Sequence, residues 1–173
     1  MEMHGIALWP TIGALVVATF TDLRSRRIPN WLVLPFMVTG LVTSTVYYGW
    51  RGLEHSAGGL ALGAVAFGVL AVMGGMGMGD VKLCAAIGAW IWSRQLVLAL
   101  VLTGIAGGIM AVAWSIFGGF FGEMLSNTGN LIFGFKARGL KPDPELTLDN
   151  PLARKMPYAP AIAIGTLVSF FSR

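Results

Sequence analysis

Long apolar runs alternate with short polar breaks along this chain, and the runs are long enough to cross a bilayer. A spanning helix needs about 17–25 predominantly apolar residues. By that rule the pattern predicts six spans, at 5–20, 31–48, 57–76, 81–92, 95–121 and 157–171, with the fourth one short. Only Ser93 and Arg94 separate the fourth span from the fifth, so these two should be antiparallel neighbours joined by a tight reversal. The expected fold is all-α: a polytopic membrane protein of six transmembrane helices in one domain over residues 1–173. Within that domain, residues 122–156 form the one connection long enough to hold structure of its own. Pro142, Pro144, Pro151, Gly129, Gly134 and Gly139 predict an irregular cytoplasmic loop there, with a short interfacial helix near 131–136. The loop reads as a lid, a substrate platform or a solvated connector.

Composition agrees with the pattern: 55% hydrophobic residues, 12% charged residues and a mean hydropathy of +0.73 exclude a water-soluble domain of this size. Charge then sets the orientation. The first run has no Lys or Arg before it and no small-residue cleavage site after it, so it reads as a retained helix with the N-terminus outside. Arg24, Arg26, Arg27, Lys82, Lys136, Arg138, Lys141, Arg154 and Lys155 then lie inside, against Arg51, Arg94 and Arg173 outside, which satisfies the positive-inside rule. The net charge of +4 thus reports orientation and contact with anionic lipid, and no nucleic-acid surface is expected.

Trp9, Trp31, Trp50, Trp90 and Trp92 fall near span ends, where amphipathic rings favour the headgroup level. The single cysteine, Cys84, excludes an internal disulfide and a cysteine-based zinc site and reads as a small buried apolar residue. No metal or other cofactor is expected. His4 and His55 fall on the outer side, solvated and out of reach of the inner face. Glycines four residues apart, Gly59/Gly63, Gly75/Gly79 and Gly104/Gly108, predict close helix–helix approach in lipid. Gly75, Gly77 and Gly79 lack the preceding strand and the spacing of a phosphate-binding loop.

Asp22 and Asp80 are the two of the eight acids that abut predicted spans in apolar surroundings. Spans one and three both run inward, so both carboxylates reach the same membrane level on the cytoplasmic side. Ionisable groups near hydrocarbon are costly and mark functional sites or pairs. Each also has a plain explanation: Asp80 as the N-cap of the fourth span, Asp22 as a surface ion pair with Arg24 or Arg26. Together they say more, because two carboxyls that share a site keep one proton between them. The ionised one can deprotonate water while the protonated one feeds the developing oxyanion. The helix dipole favours Asp80, at a helix N-terminus, as the base over Asp22, near a C-terminus, while Arg24 could reverse the two roles. Lys82 should point elsewhere on its helix and anchor to headgroups.

These residues resemble a known family. Gly77-Met78-Gly79-Asp80 is similar to the GxGD signature of intramembrane-type aspartyl proteases, and the run 75–90 resembles type IV prepilin peptidases. Asp22-Leu23-Arg24 with Ile28-Pro29-Asn30-Trp31 is similar to that family's other catalytic segment, and Pro157-Tyr158-Ala159-Pro160 to its final span. The resemblance implies an inner-membrane aspartyl endopeptidase that removes the basic leader from prepilin or pseudopilin precursors at the cytoplasmic face. It implies Asp22 and Asp80 as the catalytic pair, with Gly77, Gly79, Lys82 and Pro160 shaping the site. Pro160 is similar to the site-shaping proline of presenilin-like relatives, although a helix kink or the end of the loop explains it as well. Larger members add a cysteine-containing N-methylating domain, whose cysteine pairs are absent here, so methylation is not expected. The short form resembles the peptidases of tight-adherence (Flp) pili, with archaeal preflagellin peptidases as compact relatives. The alternatives from other classes are a small proton- or ion-coupled transporter, which predicts midplane acids and paired broken helices, and a non-enzymatic pilus scaffold. Oligomeric state is not legible.

Overall fold

The computed structural model of the protein describes residues 4–73, 75–122, 125–126 and 156–172. Among these residues are no strand and four bounded helices, α1 (His4–Ser25), α2 (Asn30–Val72), α3 (Met78–Phe117) and α4 (Ala159–Phe171), besides helical positions at 121–122 and 125–126. By length and hydropathy, α1 from Gly5, α2 and α3 are three candidate membrane spans, and α4 is a shorter apolar helix of 13 residues. The expected helix at 131–136 and nearly all of the 122–156 loop, with five of its basic residues, lie outside the described residues.

The difference between three long helices and six expected runs has a geometric reason. Straight, the 43 residues of α2 would extend about 65 Å, twice the thickness of a bilayer's hydrocarbon. Gly49 breaks the run with φ 61° and ψ −148°, a backbone conformation open to a residue without a Cβ. Beyond it the chain doubles back, because the Ser44 carbonyl lies directly against Gly52. Eight residues apart in a straight helix would be about 12 Å.

α3 reverses in the same way at Trp92, with φ 61° and ψ 174°, after which Leu96 Cδ2 reaches to 2.9 Å from the Cβ position of Gly88. A bulky residue at positive φ carries strain of about 1–2 kcal/mol. Contacts around the Trp92 ring offset it: the indole N–H donates to Ser44 Oγ at 3.1 Å, Tyr48 meets the ring edge-on at 5.3 Å, and His55 stacks on it at 4.9 Å. The connection expected at 49–56 is therefore largely helical, and the second reversal falls one residue before Ser93 and Arg94. Two reversals divide these four helices into six segments, 4–25, 30–48, 50–72, 78–91, 93–117 and 159–171.

The segment 78–91 is the centre of the bundle, with every residue from Leu83 to Trp92 buried. An all-round apolar helix belongs in such a place. The first arm of α2 runs parallel to it, from Ile28 beside Gly79, through Asn30 bonded to Lys82, to Phe36 stacked on Trp90 at 5.4 Å. The second arm runs antiparallel, with Gly63 on Cys84, Gly59 on Gly88, and Ser56 Oγ donating to Ala89 O at 2.6 Å. Gly165 of α4 abuts Thr103 and Gly107 abuts Tyr158, so α4 runs antiparallel to the second arm of α3.

The Gly59/Gly63 pair thus packs as expected, whereas Gly104 and Gly108 have nothing within 4 Å of their Cβ positions and line an open apolar groove. The close contact in that stretch is made by Gly107. Trp9, Trp31 and Trp50 are exposed as anchors should be, at 74%, 68% and 72%, but Trp90 and Trp92 are core residues at 4% and 9%. Their ring N–H groups are satisfied inside, Trp90 by the Phe36 carbonyl at 2.7 Å and Trp92 by Ser44, so neither needs the interface. His55 is exposed and stacked on Trp92.

Candidate active site

Alternating directions bring six helix ends to one end of the bundle: the closes of α1, α2 and α3 and the starts of α2, α3 and α4. Asp22 is in the last turn of α1. That helix stops at Ser25 because Arg26 takes a left-handed conformation (φ 52°), its N–H closing on the Asp22 carbonyl at 2.8 Å. The Asp22 side chain points inward, 6% exposed, and its Oδ2 accepts the buried Ala159 N–H at 3.0 Å. Arg24 and Arg26 are exposed and form no ion pair with it among the described residues. The surface-pair explanation of Asp22 therefore fails.

Asp80 lies in the first turn of α3, close enough to Asp22 for the two carboxyls to interact electrostatically. The N-cap of α3 is Gly77, not Asp80. Asp80 is three positions further on, where its carboxyl accepts a main-chain hydrogen bond from Gly77, half of a capping box. Capping is thus one of its roles, in a different position from the expected one.

The two motif glycines have steric tasks. A Cβ on Gly79 would come within 3.3 Å of Ile28 Cβ, so glycine there lets the α1–α2 connection, and with it Asp22, close onto the start of α3. A Cβ on Gly77 would stand 3.3 Å from Asp80 Oδ2, on the approach to the carboxyl. Lys82 is partly buried and its Nζ donates to Asn30 Oδ1 at 3.2 Å. It ties α2 to α3 beside the carboxyls instead of reaching only for headgroups. Pro160 is the second residue of α4, in the first turn, where its missing N–H costs nothing. The hydrogen bond to a carboxyl at this helix start comes from its neighbour Ala159.

Two members of this constellation carry no assignment from the sequence. The Ala159 N–H is a main-chain donor, which any residue but proline supplies. Tyr158, at the N-cap of α4, lies within electrostatic range of both Asp80 and Cys84, and its ring meets Phe67 edge-on at 6.2 Å. A Pro-Tyr-Ala-Pro string opening a helix after a long break was the available signal.

With this geometry in view, the comparisons with known proteins decide the family. Residues 9–112, which include Asp22 and Asp80, match the type IV leader peptidase family. The chain belongs to that family. It is 35% identical over 116 residues to a prepilin leader peptidase/N-methyltransferase of Aeromonas hydrophila, covering 60% of this chain and 40% of the relative. A protein of the same description from Neisseria gonorrhoeae is 28% identical over 141 residues, 72% of this chain and 49% of the relative. A third, from Bacillus subtilis, is 26% identical over 162 residues, 92% and 52% respectively. The chain spans about half the length, or less, of these relatives. No solved structure gives a significant match.

Proposed function

We propose that this protein is a membrane aspartyl endopeptidase that cleaves the basic leader from prepilin or pseudopilin precursors, of the Flp type, at the cytoplasmic face of the inner membrane. The observation that supports the reading is that Asp22 and Asp80, from helices far apart in sequence, stand at one end of an apolar bundle within electrostatic range of each other. The leader peptidase family and the names of the relatives point to the same substrate class.

The reaction needs the pair to hold one proton. The ionised carboxyl takes a proton from water as the water oxygen bonds to the scissile carbonyl carbon, and the protonated carboxyl gives its proton to the carbonyl oxygen. Collapse of the tetrahedral adduct breaks the C–N bond. The amine leaves with the proton that the first carboxyl had received, and no covalent enzyme intermediate forms. The helix-terminus argument that singled out Asp80 as base now applies to both groups, because Asp22 accepts an N–H at the start of α4. Both carboxyls thus stand at a helix start, and no separate base and acid are assigned.

In this reading all six segments cross the membrane, with the N-terminus outside and the carboxyl end of the bundle facing the cytoplasm. A transporter would hold its acids at mid-depth, whereas both acids here belong to helix ends that share one face of the bundle. The test is processing of a candidate prepilin by purified protein, read as a mobility shift on a gel. Asp22→Asn and Asp80→Asn should each lower the rate at least about 1000-fold while inserting normally; continued cleavage by either variant sinks the mechanism.

A further inference from the structure

The first turn of α4 binds one acidic helix end directly and stands within electrostatic range of the other. Ala159 donates its N–H to Asp22 Oδ2, and the side chain of the preceding residue, Tyr158, reaches the neighbourhood of Asp80. The Tyr158 ring is seated from two sides. It meets Phe67 of α2 at 69° between planes, and its hydroxyl rests over Gly107 of α3, where an added methyl would come within 2.5 Å of the phenol oxygen. A larger residue at position 107 would expel the phenol from this place.

The other hydroxyls nearby are committed. Thr21 Oγ1 donates to main-chain oxygens of its own helix at 3.0 Å, and Ser25 Oγ donates to Thr21 O at 2.7 Å. The Cys84 thiol is sealed at 2% exposure. Tyr158 is partly buried, and its hydroxyl has no hydrogen-bond acceptor among the described residues. The antiparallel contacts Gly63–Cys84 and Gly59–Gly88 put Phe67 level with Asp80, so the phenol packed on Phe67 is a neutral donor at the depth of the carboxyls, where negative charge develops.

We infer that the Tyr158 hydroxyl is a third catalytic group of this site, donating a hydrogen bond to the carbonyl oxygen of the substrate peptide bond as water adds to it. This rests on the peptidase reading above. No bond to the phenol forms or breaks: its proton stays on the tyrosine throughout, and the proton transfers remain those of the two carboxyls. The protonated carboxyl and the phenol then bracket one oxygen, and the Ala159 N–H keeps Asp22 in place.

The experiment is steady-state cleavage of a prepilin by wild-type protein and by Tyr158→Phe, which keeps the ring contacts and the Ala159 N–H. Loss of a donor used only in the transition state should lower kcat about 100-fold, leave KM within about twofold, and leave both limbs of the pH profile in place. Thermal unfolding in detergent should be unchanged. A kcat within about threefold of wild type overturns the inference, as does a raised KM at constant kcat. Loss of folded Tyr158→Phe protein overturns it too, since the hydroxyl would then be structural. An active wild type with inactive Asp→Asn variants and a fully active Tyr158→Phe removes this inference alone; a wild type that cleaves no precursor removes the peptidase reading with it.

Discussion

Gly77 and Gly79 precede Asp80 at a spacing set by contact distances. Gly79→Val would add methyls to a Cβ already 3.3 Å from Ile28, forcing the α1–α2 connection away from α3 and separating Asp22 from Asp80. Prepilin cleavage should fall at least about tenfold with the protein still inserted, because displacing a catalytic group by an ångström commonly costs about 100-fold. Gly77→Ala places its methyl 3.3 Å from Asp80 Oδ2 and should lower kcat more than it changes KM. An equal fall in both steady-state constants, with kcat/KM held, would remove this steric account. The two acids were legible because carboxyls at the edges of apolar runs are rare and expensive. The partners that hold them were not. A main-chain N–H has no sequence signature, and the closeness of Tyr158 to Asp80 follows from α4 lying against α3, which pairs residues more than 50 positions apart.

At the scale of elements, the apolar runs located five of the six segments well, and the reversals less well. Hydrophobicity marks where helix can lie in lipid more closely than where it turns: the break at Ser93 and Arg94 lies one residue after the turn at Trp92, and the turn at Gly49 uses only the first residue of the connection expected at 49–56. Trp92 shows the reason most clearly: a residue that reads as an interfacial anchor is held in the core by Ser44, Tyr48 and His55, and those contacts stabilise its positive φ. Small-residue spacing was a better guide where the facing helix also carried a small residue. Gly59 and Gly88 meet backbone to backbone, so either Gly59→Leu or Gly88→Leu must push the second arm of α2 off the bundle's central segment. In lipid such packing is the main source of helix association. The cost should be about 3 kcal/mol or more, seen as a lower unfolding temperature in detergent and less protein in the membrane. Gly104→Leu, on the open groove, should be tolerated in the same assay.

For the whole molecule, the reversals decide how many times the chain crosses the bilayer and which face the carboxyls meet. If α2 passed straight through as one 43-residue helix, Arg51 would stand near its middle, at the depth of the hydrocarbon, where an isolated charge is costly. With the hairpin at Gly49, Arg51 is exposed at the end opposite to Asp22, and Arg27 is exposed at the same end as Asp22. Single cysteines at these positions, in a Cys84→Ala background, separate the possibilities. An impermeant maleimide added to intact cells should label Arg51→Cys, and should label Arg27→Cys only after the membrane is opened. Labelling of neither in intact cells, with Arg51→Cys still protected after opening, would mean a single straight crossing and three spans. The reverse pattern would turn the bundle over, placing Asp22 and Asp80 outside, where a leader retained in the cytoplasm cannot reach them. The hydrogen bond from Ala159 fixes Asp22 to the start of α4, so the same two labels also give the orientation of the last helix, and with it the face on which Tyr158 meets its substrate.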